Sequence, residues 1–221
     1  MRATEQKEFC WQWNKIGGMT IAIVLLFFAA IAQPAGLDAM NDHNTDSREM
    51  QKLASRVYES AVKMYAEGKY WDATQEFIVL IDYYPEFTQI DGVYYYVAEA
   101  LSQLEMNKPA KQAYKWLILK YPQSKYAPKA LLGLEKIAFR ENDHNNVLQY
   151  YYAILKKYSE DEALTPARYY AGQSLFHLKK WDQSIIIFKR IDEKSEYYDY
   201  SLYTIALSMV KKKESGKRLS I

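Results

Sequence analysis

The residues of this chain best suited by type to chemistry are three histidines, one cysteine and one short acidic run. His43, His144 and His177 lie far apart and in no HExxH spacing, the arrangement that sets two imidazoles and a general base on one helix face, so no metal site is expected. Cys10 has no second cysteine to pair with, which excludes a disulfide framework or a thiolate metal set. Residues 159–164, SEDEAL, lack the Asp-x-Asp-x-Asp-Gly ladder of a calcium loop. They are expected to cap a helix starting near Leu164, where negative charge favours the helix dipole. Phosphate-cradling GxxxxGK[ST] and GxGxxG loops and the GxSxG elbow of serine hydrolases are absent from the sequence. The expectation is a non-enzyme with no cofactor.

Charge gives no case for nucleic acid, because 29 Lys and Arg against 27 Asp and Glu leave a net charge of only +2. Tyrosine stands out, with 21 copies in 221 residues. A tyrosine buries a large ring and keeps a polar tip, so it suits half-buried surfaces and interfaces as well as packing between helices.

The N-terminus reads as a separate object. Arg2, Lys7 and Lys15 precede an uncharged apolar run at residues 19–32, MTIAIVLLFFAAIA, which ends in the small-x-small form Ala30, Ile31, Ala32. This is the pattern of a secretory signal, with an uncleaved membrane anchor as the alternative; the run is shorter than the roughly 20 residues of a bilayer span. Asp38, Asp42 and Asp46 follow the run, in keeping with positive-inside orientation and export to a periplasm-like space. Cys10 precedes the apolar run, so lipoprotein attachment is not expected. The division is a signal or anchor at 1–32, a flexible polar linker at 33–47, a folded body at 48–213 and a basic tail at 214–221.

Stepping along the body, matching side chains return at a spacing of 37 residues: Ala73, Ala110, Val147 and Ser184; Phe77, Tyr114, Tyr151 and Phe188; Leu80, Leu117, Ile154 and Ile191. The same spacing links Ala61, Ala98, Glu135 and Gly172, and the joints at Tyr84 and Pro85, Tyr121 and Pro122, Tyr158 and Ser159. Within a unit the apolar spacing is helical, as in Tyr94, Val97, Ala98 and Leu101, then Ala110, Ala113, Tyr114 and Leu117. Polar breaks at 67–70, 106–109, 141–144 and 178–181 separate the two helices of each unit. Gly68, Asn107 and Asn142 suit a left-handed helix stop, and Pro109 suits a first turn. The pattern predicts an all-α solenoid of four helix pairs at about 54–90, 91–127, 128–164 and 165–199, with a capping helix at 200–213. Asp46 or Ser47 is the expected first N-cap, and Leu202, Tyr203, Ala206, Leu207 and Val210 form the stripe expected to cover the fourth unit.

The set Ala61, Gly68, Lys69, Tyr70, Ala73, Phe77 and Pro85 resembles the tetratricopeptide repeat, and so does Tyr94, Ala98, Leu101, Ala110, Tyr114 and Pro122. The third unit departs at Glu135, Val147 and Ser159, and the fourth at Ser184. The joint YPQSKYAPKALLGL is similar to those of bacterial periplasmic members of the outer-membrane-assembly and Tol-Pal-coordinator types, although the lipoprotein cysteine and the coiled-coil segment of those types have no counterpart here. The spacing of 37 exceeds the family's usual period of about 34 by nearly one helical turn.

The resemblance implies a right-handed superhelix whose first helices line a concave groove. Groove positions would be Tyr58, Val62, Tyr65, Tyr95, Glu99, Gln103, Lys136, Phe139, Arg140, Tyr169, Gln173 and Phe176. Rings mixed with a few charges suit a protein partner, either an extended segment or a helix, in a bacterial envelope assembly. The alternative is a structural module that self-assembles or docks by its convex face or its ends.

Overall fold

In the computed structural model, the described residues are 42–218, with side chains described for 47–215. The sequence expectations for the apolar run at 19–32 and for Cys10 fall outside them. The described residues form nine α-helices and no strand: α1 Asp42–Ala66, α2 Tyr70–Tyr83, α3 Ile90–Gln103, α4 Asn107–Lys120, α5 Ala127–Arg140, α6 His144–Lys157, α7 Leu164–His177, α8 Trp181–Phe188 and α9 Tyr198–Arg218. None of these helices is long and apolar enough to cross a membrane.

The short breaks stop the helices by a common device. Gly68, Glu105, Asn142 and Lys179 have φ of 78°, 59°, 59° and 59°. At each break the next N–H closes back on the helix, as from Lys69 to Met64 O, Met106 to Leu101 O, Asp143 to Ala138 O and Lys180 to Leu175 O, at 2.8–2.9 Å. These six-to-one bonds satisfy carbonyls that a helix end would otherwise orphan, and they require a left-handed residue immediately before the donor. Asn107 was expected to take that role; with Met106 as donor the step falls on Glu105, and Asn107 opens α4. The longer joints also share a geometry. Tyr84, Tyr121 and Tyr158 end α2, α4 and α6 with φ near −130° (−129°, −128°, −138°) and donate to Leu80, Leu117 and Ile154 O.

Packing follows chain order: each helix from α2 onward packs on the next, and α3, α5, α7 and α9 also touch in succession. Helix α1 joins through the Tyr58 ring on Phe77 of α2, and through Gln51, whose side chain donates to Glu86 O and accepts from the Thr88 N–H. Phe77, Tyr114, Tyr151 and Phe188 are among the largest fully buried side chains. Tyr114 and Phe188 fit because glycines face them. A Cβ added to Gly172 would stand 2.6 Å from the Phe188 ring, and one added to Gly133 would collide with the Tyr114 ring. Ala61, Ala73, Ala98 and Ala110 are fully buried.

The ends differ from expectation. Helix α1 begins at Asp42, within the expected linker and ahead of Asp46 and Ser47, because an acidic start suits a helix N-terminus. Helix α9 continues to Arg218, into the expected tail, aided by a Lys211–Glu214 ion pair three residues apart. Its buried face is also not the expected one. Ser201, Thr204 and Ser208 are buried, while Leu202, Tyr203 and Val210 are exposed. Ser201 and Thr204 return their hydroxyls to their own helix, at Tyr197 O (2.7 Å) and Tyr200 O (2.9 Å). The short side chains that remain let α9 lie close on its neighbours.

Two outcomes test this packing by thermal and denaturant unfolding. Phe77→Ala is expected to lose about 3–5 kcal/mol. Lys179→Gly is expected to gain about 0.5–1 kcal/mol, because a side chain at a left-handed position is strained and glycine is not.

Candidate functional site

The expected groove residues fall into two aromatic clusters on the first helices of successive hairpins. The first is built around Glu99 of α3. Its carboxylate accepts from the Tyr114 hydroxyl of α4 and from the Tyr65 hydroxyl of α1 at 3.5 Å. Tyr95 stacks on Tyr126 at 4.9 Å and meets Tyr96 edge-on at 5.4 Å. Tyr96 also bridges Tyr65 at 5.4 Å and lies flat on Phe77 at 5.6 Å. The cluster thus joins α1, α2, α3 and the joint before α5.

Burial, and then the Glu99 charge, push the hydroxyls of Tyr65, Tyr95 and Tyr114 well above the ordinary tyrosine range. They stay protonated and act as hydrogen-bond donors, with no capacity as bases near neutrality. Tyr58, expected on the same surface, is only 7% exposed and sits among Phe77, Phe87 and Tyr96. Its hydroxyl lies 3.4 Å from that of Tyr126. It is a core residue, whereas Tyr65, Tyr95 and Glu99 are half-buried and Gln103 is exposed.

The second cluster is centred on Phe139 of α5, which packs on Tyr170 at 5.3 Å and near His144 and His177 at 6.2 and 6.4 Å. Phe176 meets Trp181 edge-on at 5.0 Å, and Tyr169 packs on Tyr197 at 4.9 Å. Gln173 donates to Thr204 of α9 at 3.2 Å. Arg140 reaches back to Ser102 at 2.8 Å and Asn107 at 3.3 Å, tying α5 to the preceding hairpin. Lys136 is exposed.

Several participants were not among the expected groove residues. His144 and His177 lie 33 residues apart in sequence yet stack with centroids 5.0 Å apart and planes within 6°. Burial and then the neighbouring His177 hold the His144 imidazole below its usual range, and its Nδ1 is 3.2 Å from Ser174 Oγ. Two stacked rings make no chelate, and among the described residues no group of three or more His, Cys, Asp or Glu converges to hold a metal ion. Tyr96, Tyr126, Tyr170 and Tyr197 are also participants. Their signal was the high tyrosine content, which does not say which rings meet. An open cavity of about 550 Å³, with Phe188, Ile191, Tyr198 and Leu202 among its lining, lies between α8 and α9 and borders the second cluster through the Phe188–Tyr169 contact.

Glu135 occupies the place that Ala61, Ala98 and Gly172 take in the other hairpins. It is fully buried, and neither carboxyl oxygen has a hydrogen-bond partner. Burial raises its pKa well above the ordinary 4.5, only partly opposed by Lys136. No family model matches the chain, and no curated protein matches it.

The Glu135 carboxyl sets a pH dependence. Folded, it holds its proton above pH 4.5, whereas the unfolded chain releases it there, so the contribution of this group to stability is greatest at acid pH and falls as pH rises past that value. Glu135→Gln is expected to flatten this slope in melting curves from acid to neutral pH. An unchanged slope would show that the carboxyl is not the cause.

Proposed function

We propose that the chain is a tetratricopeptide-like α-solenoid that holds a protein partner in a concave groove and performs no catalysis. The solenoid reading is supported by positions. The helix starts Tyr70, Asn107, His144 and Trp181, the left-handed residues Gly68, Glu105, Asn142 and Lys179, and the caps Tyr84, Tyr121 and Tyr158 all recur at intervals of 37. Contacts between successive helices, and among α3, α5, α7 and α9, accord with stacked hairpins whose first helices adjoin.

The observation that carries the binding reading is the half-buried ring surface of Tyr65, Tyr95, Phe139, Tyr169 and Phe176 on the first helices, interspersed with Glu99, Gln103 and Lys136. Aromatic side chains already fixed by their neighbours lose little entropy on binding and offer both ring faces and hydroxyl donors. An extended segment or a helix running across α3, α5 and α7 would lay apolar side chains against the rings and polar groups against the carboxylate and ammonium. The reading of this chain as a scaffold in a bacterial envelope assembly is supported by the expected export signal at residues 19–32 and by the resemblance of its prolyl joints to those of periplasmic repeat proteins.

Recovery of partners from an envelope extract by the wild-type chain and by Tyr95→Ala/Phe139→Ala tests the reading. The double variant, checked for wild-type helix content by circular dichroism, is expected to lose a partner that the wild type retains. The exposed change Lys136→Glu is expected to weaken recovery of the same partner. Equal recovery of every partner by all three proteins would rule out the groove.

A further inference from the structure

Helix α9 is more apolar on its solvent side than on its packed side. At about 100° per residue, Ser201, Thr204 and Ser208 share the face turned to the fold, and Ala206 marks the centre of the opposite face. Around Ala206 that outer face presents Leu202 (46% exposed), Tyr203 (67%), Met209 (52%) and Val210 (52%). Apolar side chains at i, i+1, i+4, i+7 and i+8 form one continuous stripe, the pattern of a helix face that packs on another helix. Apart from Leu202, which borders the cavity between α8 and α9, the described fold leaves this stripe open. An exposed stripe of this kind marks an interaction surface.

The stripe is self-complementary. Leu202 and Val210 are each four residues from Ala206, Tyr203 and Met209 each three, and Asp199 and Lys213 each seven. A helix laid antiparallel on a copy of itself, with the two Ala206 residues in contact, therefore sets Leu202 against Met209, Tyr203 against Val210, and Asp199 across from Lys213, each pair occurring twice. The small Ala206 lets the backbones approach at the axis. Charge follows the same polarity: Asp192, Glu193, Glu196 and Asp199 outnumber Lys194 at or before the start of α9, and Lys211, Lys212 and Lys213 outnumber Glu214 toward its end, where Lys211 pairs with Glu214 and Lys212 with Asp182. A parallel copy would bring like charges together; an antiparallel copy brings opposite ones together. An isologous two-fold interface demands this kind of match, in which residue i meets residue j and j meets i.

We propose that α9 is a dimerisation element, pairing antiparallel with α9 of a second copy of this chain about a two-fold axis at Ala206. The inference is independent of the groove, which lies on the first helices α1, α3, α5 and α7. The pairing would join two such grooves into one two-fold assembly.

Sedimentation velocity of the full chain over a wide range of concentration tests the proposal. The expected result is a concentration-dependent species of twice the 25.9 kDa monomer. Ala206→Arg places two like charges on the axis and is expected to leave only monomer. Because Ala206 is exposed, its circular dichroism and melting should match the wild type at concentrations where the wild type is monomeric. Asp199→Lys and Lys213→Asp are each expected to weaken the dimer about tenfold, since each replaces two opposite-charge pairs by two like-charge pairs, and the double exchange is expected to restore it. A monomer at every concentration overturns the proposal, whatever else the face binds. So does a dimer that survives Ala206→Arg, or one that the double exchange fails to restore.

Discussion

Tyr114 and Phe188 are each set into space that a glycine leaves open, and the close approach of their helices depends on that fit. Tyr114 lies where a side chain on Gly133 would be, and Phe188 lies where one on Gly172 would be. A ring buried this way removes a large apolar area from water, and the missing side chain opposite is what allows the backbones close enough to enclose it. Neither half works alone: a small residue without the ring leaves a cavity, and a ring without the small residue overpacks. The helices therefore come together in pairs of fixed separation. The positions of the joints, the tyrosine caps and the left-handed stops follow from holding that separation from one hairpin to the next.

The same constraint explains how much of the fold was legible. Ala73, Phe77, Leu80 and their counterparts announced both the helices and their buried faces, because each is a requirement of local packing. The breaks were legible to within a residue or two. The left-handed stop at Glu105 was missed because side-chain type is a weak guide when backbone closure, here from Met106 to Leu101, decides the position. Helix α9 was misjudged for a different reason. Its periodicity identifies an apolar stripe, but periodicity alone does not say whether the stripe faces the fold or solvent. Ser201, Thr204 and Ser208 won the inner side because they are short and two of them satisfy their hydroxyls within their own helix.

The candidate site was legible as a set of positions and not as a set of contacts. Tyr65, Tyr95 and Glu99 do meet, but the tyrosine that ties them to α2 is Tyr96, and the one that stacks on Tyr95 is Tyr126, from the joint before α5. Such long-range partners leave no trace at helical spacing. The stacked His144 and His177 are a similar case, since they become neighbours only after two hairpins have packed. The resulting surface is fixed in place by its own ring contacts, with protonated hydroxyls around one carboxylate.

The central claim is that folding energy here accumulates between neighbouring hairpins and does not converge on one shared centre. Excision of residues 90–126, one 37-residue interval from the start of α3 to the residue before α5, tests it most directly, because it brings Phe77 to the place that Tyr114 takes against Gly133. The account predicts that the shortened chain still unfolds cooperatively, with helix content reduced by the share of α3 and α4 and a lower melting temperature. A shortened chain without cooperative unfolding or helical circular dichroism would contradict it.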